Sequence, residues 1–234
     1  YKANLENFEP IFETVYSHLD GRDAISNPIL LHQKPLIMGQ FGQRLHPVIY
    51  PSGLVMLNPR WTADTYNLFY TNYYDELYDL GLKPDYGNEG IVRNMQEVWG
   101  RVTKKIDLKD SSIKSVLDAG CGPGYGLAYL KSEMPNIDIY GIEASPDSRN
   151  ILENDLGATI LDSDLDGDWH INSEGQFDVI ILRHVVEHML DPVKTLSNLK
   201  KTLSPEGFMY IAVPDMMHPR TILRDYIDWW EYWF

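Results

Sequence analysis

Cysteine is almost absent: Cys121 is the single one in 234 residues. One thiol excludes an internal disulfide and a zinc site built from thiolates. It also favours a reducing compartment, so the expected location is cytoplasmic. Long apolar runs are lacking as well. No stretch approaches the roughly 20 residues that a membrane span needs, and no secretory signal is visible. Basic residues are scarce, with 20 Lys and Arg against 34 Asp and Glu and a net charge of −14. A nucleic-acid binder normally carries a basic face to neutralise phosphates. Here Lys104-Lys105 and Lys200-Lys201 are only short pairs that solvation explains. DNA and RNA are therefore disfavoured as partners, with a small RNA end left open.

What is present suffices for a full core. A chain of 234 residues with 44% hydrophobic content reads as one large globular domain plus a smaller element. The first residue is Tyr1 rather than Met, so the natural N-terminus is expected upstream. Apolar residues at helical spacing (Leu5, Phe8, Phe12, Val15, Tyr16, Leu19) predict a helix over 3–19. Extended segments punctuated by Gly39, Gly42 and Pro51-Ser52-Gly53 predict a small antiparallel sheet over 28–58. A tyrosine-rich helix is expected over 62–80, a second helix over 90–106, and a polar linker over 107–112. From residue 115 strands and helices alternate, which implies a parallel sheet with right-handed crossovers. Its strands are expected at 115–119, 137–142, 158–161, 177–182 and 208–213. Asp191-Pro192 starts a helix, and residues 204–207 turn the chain into the last strand. The division expected is 1–110 for an N-terminal cap on the acceptor side and 111–234 for an α/β, Rossmann-like, doubly wound domain.

Residues 113–126 carry the most chemistry. An apolar strand runs into Asp118, then glycines alternate at Gly120, Gly122, Gly124 and Gly126 before a helix begins. Glycine at this density lets backbone approach a ligand with no Cβ in the way. The dinucleotide fingerprint needs glycines at relative positions one, three and six. Counting from Gly120 the sixth position is Tyr125, and from Gly122 it is Leu127, so neither register fits. The acidic Asp118 suits a ligand with a cationic amine better than a pyrophosphate. Val116-Leu117-Asp118-Ala119-Gly120-Cys121-Gly122-Pro123-Gly124 resembles motif I of the class I S-adenosylmethionine-dependent methyltransferases, commonly V-L-D-x-G-C-G-x-G.

The resemblance implies S-adenosylmethionine as cofactor and S-adenosylhomocysteine as product. It implies that the backbone of Ala119, Gly120, Cys121, Gly122 and Gly124 holds the amino-acid end, with Asp118 on the ammonium. Glu143, about 20 residues past the loop, then takes the ribose hydroxyls, and Ala144 lies against the adenine. Asp164 stands where the family places an acid on the adenine amino group, although Asp162, Asp166 and Asp168 crowd the same segment. Arg183-His184-Val185-Val186-Glu187-His188 with Asp191-Pro192 resembles the segment after strand four of many small-molecule methyltransferases, often H-V-L-E-H-x-x-D-P. The zinc-protease pattern fails, since Val185 rather than Glu follows His184. Arg183 is expected on the cofactor side, and His184 is the expected general base. Glu187 and His188, on one helix face with His184, are expected to be structural.

Tyr50 to Arg60, followed by Phe69-Tyr70 and Tyr73-Tyr74, is similar to the N-terminal region of bacterial sugar and polysaccharide-cluster methyltransferases. Many of these carry a zinc ribbon, but here Tyr50 and Ser52-Gly53 stand where its cysteines would be. A cysteine-free ribbon held by packing is expected, with tyrosines lining an acceptor pocket and Asp215 and His218 contributing from beyond strand five. The family's closing antiparallel strands are expected to be missing. The implied reaction is O-methylation of a sugar or glycan hydroxyl, in a chain that forms a homodimer or is fused to other glycan-biosynthesis domains. Two alternatives stand beside it: a methyltransferase for a non-sugar small molecule, and a non-catalytic domain that binds cofactor or a partner within a larger assembly.

Overall fold

The computed structural model describes residue 9 and residues 11–14, 47–74, 84–102 and 112–214. Several expectations lie outside these residues: the strands within 28–46, residues 75–80 of the tyrosine-rich helix, most of the 107–112 linker, and everything after 214, including Asp215 and His218. In chain order the elements begin with β1 (Phe12–Glu13), β2 (Pro47–Ile49), β3 (Val55–Leu57), β4 (Arg60–Trp61), α1 (Ala63–Asn72) and α2 (Glu89–Val102). They continue with β5 (Ser115–Ala119), α3 (Tyr125–Glu133), β6 (Asp138–Ile142), α4 (Pro146–Leu156), β7 (Thr159–Asp162), β8 (Phe177–Arg183), α5 (Pro192–Thr202) and β9 (Leu203–Ala212). None of the described helices is long and apolar enough to cross a membrane.

The main sheet has five parallel strands in the order β7-β6-β5-β8-β9. Its strands are near-continuous apolar runs because both faces are covered. Alternation along each strand sorts the side chains into two cores. Val116, Ile139, Val179 and Ile181 pack with Trp99 of α2 and Leu127 of α3 on one face. Leu117, Ala119, Ile142, Ile180 and Leu182 pack with Trp169 and with Leu199 of α5 on the other. This is the Rossmann-like, doubly wound α/β architecture. Strand β5 has β6 on one side and β8 on the other, so the strand order reverses there, and in such sheets the crevice at that point binds ligands. Helix α2 precedes the expected boundary at 110, yet Met95, Trp99 and Val102 are buried in the core of the sheet. The Trp99 indole N–H also donates to the Gly126 carbonyl at 3.2 Å.

Three expectations are corrected. The helix over 3–19 is not formed at residues 11–14: Phe12 and Glu13 pair antiparallel with Trp61 and Arg60. Pro10 removes a helical N–H and drives the preceding residue extended. Phe12, the one described member of the expected apolar stripe, is exposed. The last strand starts at Leu203, directly after α5, rather than at 208. Phe177 pairs with Leu203 and Val179 with Phe208, so residues 204–207 form a bulge within the strand instead of a turn before it. The third is at His184, which lies outside any helix.

The amino edge of the sheet is held by Asp178. Its carboxylate accepts from the Lys114 and Ser115 backbone N–H groups at 2.8 and 3.1 Å and from the Ser204 hydroxyl at 2.8 Å. Burial pushes its pKa up, but these hydrogen bonds and that of the Ser115 hydroxyl outweigh burial and hold it below the ordinary 3.8. A carboxyl with a depressed folded pKa contributes stability above its unfolded pKa and loses it as pH falls through the folded one. Asp178→Ala is expected to lower unfolding stability at pH 7 by about 1–3 kcal/mol. In thermal unfolding the gap between variant and wild type narrows as pH drops below 3.8. Equal midpoints at pH 7 would contradict this.

Candidate cofactor and active site

The carboxyl edge at the strand reversal is built around the loop from Gly120 to Gly124. Gly120, Gly122 and Gly124 have φ of 75°, 54° and 80°, all left-handed. A side chain strains such a backbone, so alternate glycines are what the turn requires. The Gly120 N–H donates to the Ile142 carbonyl at 2.8 Å, and the Gly122 N–H donates to Glu143 Oε2 at 2.6 Å. The three glycines differ in surroundings. A Cβ on Gly124 would lie 2.4 Å from Leu152 Cδ2, and one on Gly120 2.5 Å from Val185 Cγ2. A Cβ on Gly122 would meet nothing within 4 Å. Gly124 therefore serves packing, Gly120 seats the segment after β8, and Gly122 faces open space.

Two buried carboxyls flank this loop. Asp118, near the end of β5, is 8% exposed, and no described residue hydrogen-bonds its carboxyl group. Burial, together with the charge of Glu143, raises its pKa to about 7, while Arg183 at the end of β8 pulls it down. Glu143, just past β6, accepts from the Gly122 N–H and, through Oε1, from the Ser145 N–H at 2.9 Å. A carboxylate accepts up to about four hydrogen bonds. Ala144 follows, and its carbonyl and that of Glu143 accept from Arg149 Nη1 at 2.6 and 2.8 Å. Buried Ser145 caps α4 by accepting from the Ser148 N–H at 2.9 Å. Cys121 packs against β6, its Sγ 3.8 Å from the Ile142 carbonyl. Burial, with Asp118 and Glu143 nearby, pushes its thiol well up, so it is a packing group rather than a nucleophile.

Asp164 stands exposed on the loop after β7 and accepts from the Asp166 N–H at 2.9 Å. Arg183 is half-buried, while His184 is exposed with φ 56°, a left-handed non-glycine residue. Its backbone N–H donates to the Ala212 carbonyl at 2.9 Å. Only Val186–His188 form a short 3₁₀ turn, so His184 and His188 do not share a helix face, which corrects that expectation. Instead His184 Nδ1 lies 3.5 Å from Glu187 Oε1.

Residues without a sequence signature complete the site. The Tyr86 hydroxyl donates to the Pro123 carbonyl of the glycine loop at 2.8 Å, and its ring packs edge-on against Tyr125. Burial, Asp155, Tyr125 and Cys121 push that hydroxyl up to about 12, so it remains a donor. Arg60 of β4 donates through Nε to Glu13 Oε1 at 2.8 Å and through Nη1 to the Leu190 carbonyl. These links span from 37 to 130 positions, beyond any local pattern. A repeat of aromatic residues in α1 was the one available clue to the adjoining cluster, where Trp61 meets Tyr66 and Phe69, and Phe69 meets Tyr70 and Tyr74.

These groups fit S-adenosylmethionine: a buried carboxyl with no hydrogen bond from the described residues for a cationic amine, an acceptor carboxylate for a diol, and backbone stripped of Cβ between them. Ionising Asp118 in a cationic complex expels its proton below pH 7, so affinity is expected to rise between about pH 5 and pH 7.5. Asp118→Asn flattens that dependence and weakens binding at pH 8 by about tenfold or more. Calorimetry across pH reads both, and a pH-independent wild type would contradict the assignment. Gly124→Ala, strained and overpacked, is expected to destabilise by about 2–4 kcal/mol. Gly122→Ala costs stability only the left-handed strain of about 1–2 kcal/mol but loses cofactor affinity. Thermal unfolding with and without S-adenosylhomocysteine separates them, and equal losses of affinity per unit of stability would refute the division of roles.

Residues 91–234, more than half of the chain, match the family model described as "Methyltransferase domain". Trans-aconitate 2-methyltransferase of Escherichia coli is 28% identical over 123 residues, covering 50% of this chain and 46% of that protein. The tRNA U34 carboxymethyltransferase of Desulfotalea psychrophila is 31% identical over 118 residues, covering 48% and 36%. The chain thus spans less than half the length of these curated relatives. Among solved structures, PH0226 from Pyrococcus horikoshii OT3 shares the fold with a TM-score of 0.50 at 18% identity, over 65% of this chain and 72% of that one. A motif I loop at the strand reversal, a carboxyl near the end of β5 and another after β6, and the family match over the same residues lead to one conclusion: the chain belongs to the methyltransferase domain family, and its Rossmann-like unit is a class I S-adenosylmethionine-dependent methyltransferase domain.

Proposed function

We propose that the protein transfers the methyl group of S-adenosylmethionine to a hydroxyl of a small cytoplasmic acceptor, with a sugar or glycan as the acceptor class. The observation that carries this reading is the seating of the segment after β8 on the cofactor loop. Val185 fills the space that a Gly120 side chain would need, so exposed His184 stands one residue from the cradle. When bound, the cofactor supplies an electrophilic sulfonium methyl; the chain's residues supply position and a base. Asp118 holds the amine, Glu143 the ribose hydroxyls, and the Glu143–Ala144 turn clamped by Arg149 borders the adenine, with Asp164 at its edge. Arg183 offsets part of the negative charge of Asp118. His184 takes the proton that the acceptor hydroxyl loses.

Residues 1–110 act in this reading as the acceptor-side cap. Arg60 ties β4 to the Leu190 carbonyl, two residues past His188, and α1 with its aromatic cluster follows β4 directly in the chain. Tyr66 and Tyr70 are partly exposed there. Aromatic faces with hydroxyl tips suit sugar rings. Relatives bear names for acceptors as different as trans-aconitate and tRNA. A net charge of −14 repels polyanions and favours a neutral polyol over either.

Methyl transfer to a panel of nucleotide sugars and oligosaccharides tests the reading. His184→Ala is expected to lower turnover on the order of 10²–10⁴-fold while S-adenosylhomocysteine affinity stays within twofold of wild type. Undiminished turnover would remove His184 as base. Cofactor binding with no transfer to any small acceptor would favour the non-catalytic alternative, and transfer confined to carboxylic acids would replace the sugar.

A further inference from the structure

We propose that Glu187 is the positioning residue for His184: its carboxylate holds the Nδ1–H and so leaves Nε2 as the atom that receives the acceptor's proton. This rests on the base role proposed above. The backbone at His184 is pinned, since its N–H is bonded to the Ala212 carbonyl at 2.9 Å and its φ of 56° is a strained, left-handed conformation for a residue with a side chain. Such strain persists only where the surroundings over-determine it, and what remains free is the imidazole. Its Nδ1 lies 3.5 Å from Glu187 Oε1, at the outer limit of a hydrogen bond. Catalytic hydrogen bonds are commonly long in ligand-free sites and tighten in the complex. The nitrogen that carries the proton is set by the hydrogen bond made at Nδ1.

The second observation concerns Glu187 itself. The side chain is 13% exposed, and its Oε2 is buried with no hydrogen-bond partner among the described residues. A buried carboxylate oxygen left bare is costly, and cores rarely keep one without use. A carboxylate can only accept, so this site lacks a donor. His184 offers a donor to the other oxygen of the same carboxylate, Oε1, as Nδ1–H in the resting state and as imidazolium after it has taken the acceptor's proton. The proton balance closes locally: the hydroxyl hydrogen passes to Nε2, the acceptor oxygen bonds the methyl carbon, and the sulfur keeps the electron pair of the broken bond. The imidazolium then faces Glu187, with charges opposed. His188 also senses Glu187, but its backbone lies in the 3₁₀ turn and it is the competing partner that the experiment must separate.

Long-range ¹H–¹⁵N correlation spectra of the ¹⁵N-labelled full chain, with His184 assigned by its loss in His184→Ala, read the tautomer directly. The expected result is Nδ1–H for neutral His184 in wild type and a change to Nε2–H, the form favoured by free imidazole, in Glu187→Met. Retained binding of S-adenosylhomocysteine certifies that this variant is folded, and its turnover is expected to fall about 10-fold or more. Nε2–H in wild type overturns the proposal without any variant. So does an unchanged His184 tautomer in Glu187→Met, or a change confined to His188. A tautomer that follows Glu187, together with full turnover in His184→Ala, would keep the positioning and discard the base role.

Discussion

The hydrogen bond from the Gly122 N–H to Glu143 Oε2 at 2.6 Å is the joint on which the site depends. It ties the loop leaving β5 to the turn leaving β6, across the strand reversal where the sheet opens. The loop turns left-handed at Gly120, Gly122 and Gly124 as it passes Glu143, which favours glycine at alternate positions. Val185 and Leu152 then occupy the space that side chains at Gly120 and Gly124 would fill. One backbone geometry thus brings the segment after β8, helix α4 and two carboxyls into a single cradle. Tyr86 adds a clamp from outside the sheet by binding the Pro123 carbonyl.

Charge completes the arrangement. An acidic chain places two acidic groups, Asp118 and Glu143, in buried positions at one loop, where the charge of Glu143 disfavours ionisation of Asp118. A pKa raised to about 7 at Asp118 expresses this tension, with Arg183 as partial compensation. A sulfonium compound with an ammonium group relieves it. The same buried carboxyls would repel a pyrophosphate, which agrees with the failed dinucleotide register of the loop.

The parallel domain was largely legible in the sequence. β5 spans Ser115–Ala119 as expected, and β6, β7 and β8 lie within about a residue of their expected ends, because strands buried on both faces are apolar throughout. Motif I was legible because its chemistry demands unusual residues. The errors arose where tertiary contacts override local pattern. Phe12 carries a helical spacing, yet beside Pro10 the chain extends and pairs with Trp61. Residues 204–207 have turn composition, yet they bulge within β9 because Ser204 is held by Asp178. His184 and His188 have helical spacing, yet the bond to Ala212 ends that possibility at His184. Arg60, Tyr86 and Arg149 act through carbonyl oxygens, which leave no trace in side-chain pattern.

The central claim is that the glycine loop and the Glu143 turn form one cofactor cradle. Backbone amide shifts of the ¹⁵N-labelled chain during titration with S-adenosylhomocysteine test it most directly. The account predicts that Gly120, Gly122, Glu143 and Ala144 move together along one saturation curve, while the amides around Asp178 at the opposite edge of the sheet stay still. Shifts absent at millimolar ligand, or confined to residues away from the carboxyl edge of β5 and β6, would contradict it.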